Sequence, residues 1–205
     1  GWLMHRELNF LRDLMEKPKR DLTVIVGGAK VSTKIQLIDN FIHKADNIII
    51  GGGMAFTFLK AMGKNIGGSL LEKSMVPVAL KMINKARMKN IDLVLPIDVL
   101  CSNSINNQPI KGYFSVEDIP KDAMGLDIGI DTLKLFKSAL SSSKTILWNG
   151  PMGVFEKKDF SKGTEELGKM LSKKVLEDVK VIVGGGDTSA ALEIFGLHRN
   201  MTHVS

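Results

Sequence analysis

The stretch Leu22 to Gln36, LTVIVGGAKVSTKIQ, predicts how the chain begins to fold. It opens with a short apolar, largely β-branched run, continues with two glycines and ends in a segment with two lysines four positions apart. This order is typical of a buried strand, a tight turn and the start of a helix. On such a helix, Lys30 and Lys34 would share one face of the first turns.

Two lysines near a helix N-terminus are locally unfavourable, because the helix dipole is positive at that end. A bound anion would remove the conflict, so the stretch is a candidate anion site. An ordinary glycine turn followed by a solvated helix explains the same residues, since strand-to-helix turns are common in α/β folds. The stretch alone leaves both interpretations open.

The composition is that of a soluble globular protein, with 205 residues, 44% of them hydrophobic and 24% charged. A net charge of +6 comes from lysines spread along helical stretches, and aromatic residues are few, which argues against a nucleic-acid groove. The single Cys101 excludes an internal disulfide framework. We find neither a membrane-span pattern nor a signal-peptide pattern, and expect no membrane partner.

Short apolar runs alternate with helical patterns along the whole chain. This alternation predicts an α/β fold with a Rossmann-like open parallel sheet, helices on both faces and a single domain. We expect 63–69 to be a glycine-rich surface loop, 101–107 a surface turn without function and 115–131 irregular. The predicted strands are 22–26, 47–50, 93–96, 145–148, 179–183 and 203–204, and the predicted helices are 2–15 (stopped by Pro18), 35–45, 54–62, 75–89, 133–140, 160–174 and 188–195.

Four of the predicted strands end in glycine-rich segments: Gly27–Gly28, Gly51–Gly53, Gly150–Gly153 and Gly184–Gly186. Ligands of open α/β sheets bind beyond the carboxyl ends of the strands, so these segments should meet at one edge. Together they predict a floor of bare backbone for a nucleotide. Close packing of helix on strand explains any single cluster nearly as well.

Asp187 follows the last glycine cluster and precedes a predicted helix, where a bare carboxylate would repel a phosphate. The placement fits Mg²⁺, which commonly binds one or two carboxylates together with phosphate oxygens. The amides around Thr188 would then face the phosphates at a helix N-terminus. Asp187 could instead be a plain N-cap. Glu156 fits ribose hydroxyls, or is an ordinary surface acid.

The common nucleotide motifs are absent from the sequence. It contains no GxxxxGK[ST], no strand followed by GxGxxG with a later acid, and no protein-kinase signature. The four histidines are scattered and predict no metal cage. A P-loop enzyme and a dinucleotide-dependent dehydrogenase are therefore disfavoured.

Five segments, taken in order, closely resemble phosphoglycerate kinase, and the opening GWLMHREL is similar to that family's GFLMxKEL. The resemblance covers nearly the whole chain but matches only the C-terminal, nucleotide-binding half of a two-domain enzyme. It implies that residues 1–205 are the nucleotide-binding domain and that the N-terminal substrate domain is absent from this chain. The segments are GGAKVSTK (27–34), IIGGGMAFTFLK (49–60), MGLDIG (124–129), WNGPMGVFE (148–156) and VGGGDTSAA (183–191).

The resemblance implies phosphoryl transfer between 1,3-bisphosphoglycerate and Mg-ADP, giving 3-phosphoglycerate and ATP. Lys30 would be catalytic, stabilising the phosphoryl group in transfer, Lys34 would hold nucleotide phosphates, and Asp187 would ligate Mg²⁺. Glu156 would bind the ribose, with Asn149 near the ribose and phosphates. The adenine slot would be lined by Gly52, Gly53, Gly125, Leu126, Pro151 and Val154, and further nucleotide contacts would come from Gly28, Gly184, Gly185, Gly186 and Thr188.

The sequence departs from the family pattern at Thr33, where Asp is usual, at Ile130, where Pro is usual, and at Thr202, where Ser is usual. It also stops at Ser205, where the family continues with a threonine and three glycines. From the resemblance we expect a cytoplasmic monomer that is inactive without the other domain. A non-catalytic adenine-nucleotide-binding module with the same fold is the alternative, although such a module would be expected to lose the charges of Lys30, Lys34 and Asp187.

Overall fold

The computed structural model describes residue 12 and the ranges 21–104 and 109–205. None of the helices within those ranges combines the length and hydropathy that crossing a bilayer requires. The helix predicted at 2–15, with its stop at Pro18, and the last part of the predicted turn at 101–107 lie outside the described residues.

The described residues form two sheets. The strands are β1 (Leu22–Val26), β2 (Asn47–Ile50), β3 (Asp92–Val94), β4 (Asp98–Ser102), β5 (Ile110–Ser115), β6 (Met124–Ile128), β7 (Thr145–Asn149), β8 (Lys180–Gly184) and β9 (His203–Val204). The larger sheet has six parallel strands in the order β3-β2-β1-β7-β8-β9, and the smaller one is antiparallel in the order β5-β4-β6.

Helices cover both faces of the larger sheet, and the side chains of β1 show why. The helices are α1 (Ile35–Phe41), α2 (Ala55–Ala61), α3 (Val76–Met88), α4 (Ile130–Ala139), α5 (Lys162–Leu176) and α6 (Gly186–Phe195). Val24 and Val26 pack in one buried cluster with α1, α2 and α3, whereas Ile25 packs in another with α4, α5 and α6. Successive strand residues point to opposite faces of the sheet, so an all-apolar strand must be covered on both faces.

The predicted α/β class and the helix-covered parallel sheet are confirmed. All six predicted strands are present with bounds shifted by up to two residues, the ordinary uncertainty of element ends. Helix α1 ends earlier than predicted, at Phe41 rather than at residue 45. Short 3-10 turns also occur at Val31–Thr33, Lys73–Met75, Lys158–Phe160 and His198–Asn200.

The smaller sheet corrects two predictions. Cys101 and Ser102 are fully buried in β4 rather than exposed in a polar turn, and β6 lies inside the segment that was predicted to be irregular. The reason is tertiary: Val99 and Cys101 pack in one buried cluster with Phe56 of α2. Burial against this helix outweighs the weak local preference of a mixed polar and apolar segment.

Candidate nucleotide-binding site

Backbone hydrogen bonds join the carboxyl ends of β1, β2 and β7 into one floor. The amide of Gly28 donates to the carbonyl of Pro151 at 3.0 Å, and the amide of Gly52 donates to the carbonyl of Met152 at 3.1 Å. A Cβ on Gly27 would lie 2.3 Å from the Pro151 oxygen, closer than real Cβ contacts. These glycines are therefore required where the strand ends pack against each other, which is the alternative that the sequence left open.

Other glycines of the same clusters have open space in front of them. Around a Cβ built on Gly186 no atom lies within 4 Å apart from its chain neighbours and its own helix backbone, and on Gly184 the nearest atoms beyond its neighbours, of Asn149 and Ser205, lie at an ordinary 3.4 Å. Packing does not explain why side chains are missing at these positions. Bare backbone at the end of β8 leaves room for a ligand to approach the main chain.

A cavity of about 310 Å³ opens between this floor and β6. Its lining is mostly apolar and backbone, which suits a flat ring, and its volume lies near the lower end of typical ligand pockets. All six residues that the resemblance assigns to the adenine slot line this cavity, and Gly28, Glu156 and Asp187 line it too. The six are Gly52, Gly53, Gly125, Leu126, Pro151 and Val154.

A second cavity of about 290 Å³ adjoins the first, because Gly28, Ala29, Pro151 and Asp187 line both. Here the lining is polar and charged. It brings the two lysines of the opening stretch to the N-terminus of α6, and its further members are Lys30, Thr33, Lys34, Gly150, Gly185, Gly186 and Thr188. An apolar slot next to a cationic pocket matches the two ends of a nucleotide.

The predicted shared helical face of Lys30 and Lys34 is wrong. Lys30 is exposed in extended backbone, with φ −126° and ψ 128°, and the 3-10 turn Val31–Thr33 separates it from α1, which begins only after Lys34. The hydroxyl of Thr33 donates to the carbonyl of Lys30 at 2.9 Å and closes the turn. The turn brings both lysines to one cavity without placing them on one helix.

Lys34 is half-buried, and its ammonium donates a hydrogen bond to Oδ1 of Asn149 at the end of β7. Burial lowers the pKa of Lys34, and the negative charge of Asp187 acts in the opposite direction. A partly desolvated cation of this kind gains more from a bound anion than a fully solvated one does.

Asp187 is not an N-cap. Helix α6 is capped by Gly185, at φ 97°, without a side-chain hydrogen bond, and Asp187 is an exposed residue of the first turn. The amides that open a helix have no partner within it, so this N-terminus can receive an anion. Thr188 is fully buried and its hydroxyl accepts the amide of Gly150 at 2.7 Å, which ties α6 to the floor.

The residues fit a magnesium ion held mainly by a ligand. Within the described ranges no group of three or more His, Cys, Asp or Glu side chains could form a protein cage for a metal. Asp187 brings a carboxylate to the lining of the cationic cavity. One carboxylate together with phosphate oxygens and water is the donor set that Mg²⁺ accepts in nucleotide sites.

Sequence reasoning missed three polar groups around the cavities: Ser69, Glu72 and Asp127. The hydroxyl of Ser69 accepts the amide of Gly125 at 2.9 Å, and the carboxylate of Glu72 accepts the amide of Ser32 at 3.0 Å. These contacts span 56 and 40 residues, so no local pattern announces them.

Asp127 lines the apolar cavity but is only 4% exposed. Its two carboxyl oxygens accept the amides of Gly163, at 2.8 Å, and Ile128, at 2.9 Å. Burial raises the pKa of Asp127 to about 7 against the opposing effect of these two donors. A Cβ on Gly153 would lie 2.4 Å from Oδ1, so this carboxyl group also fixes the course of the segment after β7.

Comparison with known proteins gives one family. The family model described as phosphoglycerate kinase matches residues 1–205. Over the whole chain, the phosphoglycerate kinase of Thermosynechococcus vestitus is 45% identical and that of Clostridium botulinum (strain 657 / Type Ba4) is 46% identical. The chain spans about half the length of these relatives, 51% in both cases.

Solved structures agree. The phosphoglycerate kinase of Coxiella burnetii superposes with a TM-score of 0.93 at 39% identity, over all of this chain and 53% of its own. The enzyme of Pyrococcus horikoshii superposes with a TM-score of 0.82 at 24% identity, over all of this chain and 51% of its own, and at that identity shows the shared fold alone.

Proposed function

The chain belongs to the phosphoglycerate kinase family, and we propose that its two adjoining cavities bind Mg-ADP and Mg-ATP. Because the chain spans about half of its relatives, the full activity is a proposal for a longer protein. That activity is phosphoryl transfer between 1,3-bisphosphoglycerate and ADP, giving 3-phosphoglycerate and ATP. The observation that supports it best is the continuity of an apolar slot with a cavity holding two lysines and a carboxylate.

In this proposal the adenine ring lies in the apolar slot and the ribose hydroxyls meet Glu156. The phosphates occupy the cationic cavity, where Lys34 and the first amides of α6 face them. Asn149 lies outside both cavity linings and accepts a hydrogen bond from the ammonium of Lys34. Its role follows from this contact and the family resemblance, and the other roles follow from the place of each residue in the cavity lining and from the resemblance.

Phosphoryl transfer suits a site with few reactive groups. Its transition state is loose, so the protein needs to position the reactants and to neutralise charge on the moving phosphoryl oxygens. Lys30 and Lys34 supply positive charge in the cationic cavity that adjoins the slot. Mg²⁺, held by Asp187 and the nucleotide, would neutralise further charge on the phosphates.

We further propose that an N-terminal domain binds 1,3-bisphosphoglycerate and 3-phosphoglycerate in the longer protein. This chain, as the nucleotide-binding domain at residues 1–205, would then be inactive alone. A cytoplasmic monomer remains our expectation from the resemblance. A non-catalytic nucleotide-binding module with the same fold is the alternative, and it predicts a site that binds ADP without any contribution of Lys30 to turnover.

Nucleotide binding can be tested on the 205-residue chain itself. Titration calorimetry should detect Mg-ADP and little affinity for NAD; binding of NAD in preference to Mg-ADP would refute the nucleotide assignment. Lys81→Ala, at an exposed lysine of α3, is the matched control for the Lys30→Ala variant described next and should leave the affinity for Mg-ADP unchanged.

The role of Lys30 is tested in the complete protein, which is expressed from the whole open reading frame that encodes this chain. Lys30→Ala should lower the rate of ATP formation by about a hundredfold or more, the usual consequence of losing one preorganised charge-stabilising group, and should largely keep the affinity for Mg-ADP. A complete protein that binds Mg-ADP but turns over no 1,3-bisphosphoglycerate would favour the non-catalytic module.

A further inference from the structure

The segment 66–72, which we name the strap, runs from the apolar slot to the 3-10 turn Val31–Thr33, whose Thr33 lines the cationic cavity. Residues 66–69 are predicted to be part of a surface loop. In the structure Ser69 is 7% exposed and its hydroxyl accepts the amide of Gly125 in β6, while the amide of Gly68 donates to the carbonyl of Ala123 at 2.8 Å. Leu70 lines the slot. The first part of the strap is thus built into the wall beside the base.

The last residue of the strap reaches the 3-10 turn that follows Lys30 and lines neither cavity. The carboxylate of Glu72 accepts two hydrogen bonds from Ser32, one from its amide at 3.0 Å and one from its hydroxyl. The bond from the Ser32 hydroxyl is the main cause that holds the pKa of Glu72 below its usual value, and the nearby charge of Lys30 acts in the same direction. Glu72 is therefore a charged acceptor in contact with the 3-10 turn Val31–Thr33, which we name the lysine turn because it lies between Lys30 and Lys34.

Glu72 is itself held in place. Its amide donates to the hydroxyl of Thr57 at 3.2 Å, and Thr57 is 1% exposed on α2. On the other side, Ser32 is the middle residue of the 3-10 turn Val31–Thr33, which directly follows Lys30. The Thr33 hydroxyl and the buried side chain of Val31 also hold the turn that follows Lys30, and Glu72 adds a tie from this turn to α2.

We propose that Glu72 is a positioning residue for Lys30, and that the strap holds the slot wall and the lysine turn at a fixed separation. The proposal rests on the proposed function, because Glu72 has no chemical role of its own and acts only through the catalytic role of Lys30. The carboxylate fixes Ser32, Ser32 fixes the backbone of the turn, and the turn directs Lys30 towards the transferred phosphoryl group. Small misplacements of a charge-stabilising group are costly for rate, so the support of the backbone that carries the exposed Lys30 side chain bears on kcat.

Glu72→Ala in the complete protein should lower kcat about tenfold and change KM for ADP less than threefold, because Lys34 and the slot remain intact. Glu117→Gln is the matched control, since Glu117 forms a surface ion pair with Lys64, near the start of the same loop region, and contacts neither cavity. We expect this control to leave kcat and KM unchanged.

A double-mutant cycle separates positioning from general support of the fold. If Glu72 acts through Lys30, Glu72→Ala should cost less than twofold in kcat when Lys30 is already alanine. An equal loss in both backgrounds would overturn the proposal, as would a fall in adenosine affinity as large as any fall in ADP affinity. A complete wild-type protein without kinase activity would instead contradict the proposed function.

Folding of each variant is checked by circular dichroism before kinetics. Should Glu72→Ala unfold, Ser32→Ala replaces it in the same cycle, because this change removes one of the two hydrogen bonds and leaves both backbones in place. Non-additivity with Lys30→Ala supports the proposal for either variant, and additivity refutes it.

Discussion

The buried carboxyl group of Asp127 makes stability depend on pH in a predictable direction. Burial raises the pKa of Asp127 to about 7, whereas in the unfolded chain its pKa is near the ordinary value of 3.8. Between these values the folded chain keeps a proton that the unfolded chain has lost. The stabilisation associated with this group is therefore complete below the unfolded pKa, falls as pH increases and is lost above the folded pKa.

The magnitude follows from the two pKa values. One pH unit of difference corresponds to about 1.4 kcal/mol, so from about pH 5 to about pH 8 the free energy of unfolding should fall by about 2.5 kcal/mol on account of Asp127 alone. Asp127→Asn cannot ionise and removes this dependence. The amides of Gly163 and Ile128 both donate to the side chain of Asp127. In Asp127→Asn the NH₂ group faces one of these two N–H donors, which should lower the free energy of unfolding at all pH values.

The assay is urea unfolding of both chains at several pH values, followed by the fluorescence of Trp148, which is fully buried. The difference in free energy of unfolding between the wild-type chain and Asp127→Asn should shrink by about 2.5 kcal/mol over that range, because other titrating groups cancel in the difference. Asp159→Asn, at an exposed aspartate, is the control and should give a curve parallel to wild type. A difference for Asp127→Asn that stays constant would mean that the two amides keep the carboxylate charged, and would refute the reasoning.

Two further substitutions test how the floor is built. Thr188→Val leaves the buried amide of Gly150 without its acceptor and should lower the free energy of unfolding by about 1–3 kcal/mol in urea titrations, whereas Thr188→Ser should stay close to wild type. Gly52→Ala places a Cβ within 2.6 Å of the Gly28 oxygen at φ 73°, so calorimetry should show a loss of Mg-ADP affinity; unchanged affinity would show that the floor can shift to admit a methyl group.

The main sheet could be predicted because its strands are short apolar runs with glycine at their ends, and the edge at which those ends meet follows from parallel topology. The smaller sheet could not, since β4 and β6 pair across more than twenty residues and β4 packs against α2. In the site, the glycine clusters and the charged residues Lys30, Lys34, Glu156 and Asp187 could be identified from the sequence. The roles of Ser69, Glu72 and Asp127 could not, because each acts through a partner 36 to 56 residues away.

The two lysines of the opening stretch occupy unlike environments, and this difference bears on how they could divide the work. Lys34 is half-buried and already hydrogen-bonded to Asn149, so it is suited to hold a phosphate equally before and during transfer. Lys30 is exposed on extended chain directly before a turn whose Ser32 donates hydrogen bonds to Glu72. Only an interaction that strengthens in the transition state accelerates a reaction. If the proposed function holds, loss of Lys34 should therefore appear mainly in nucleotide affinity, and loss of Lys30 or of its support mainly in kcat.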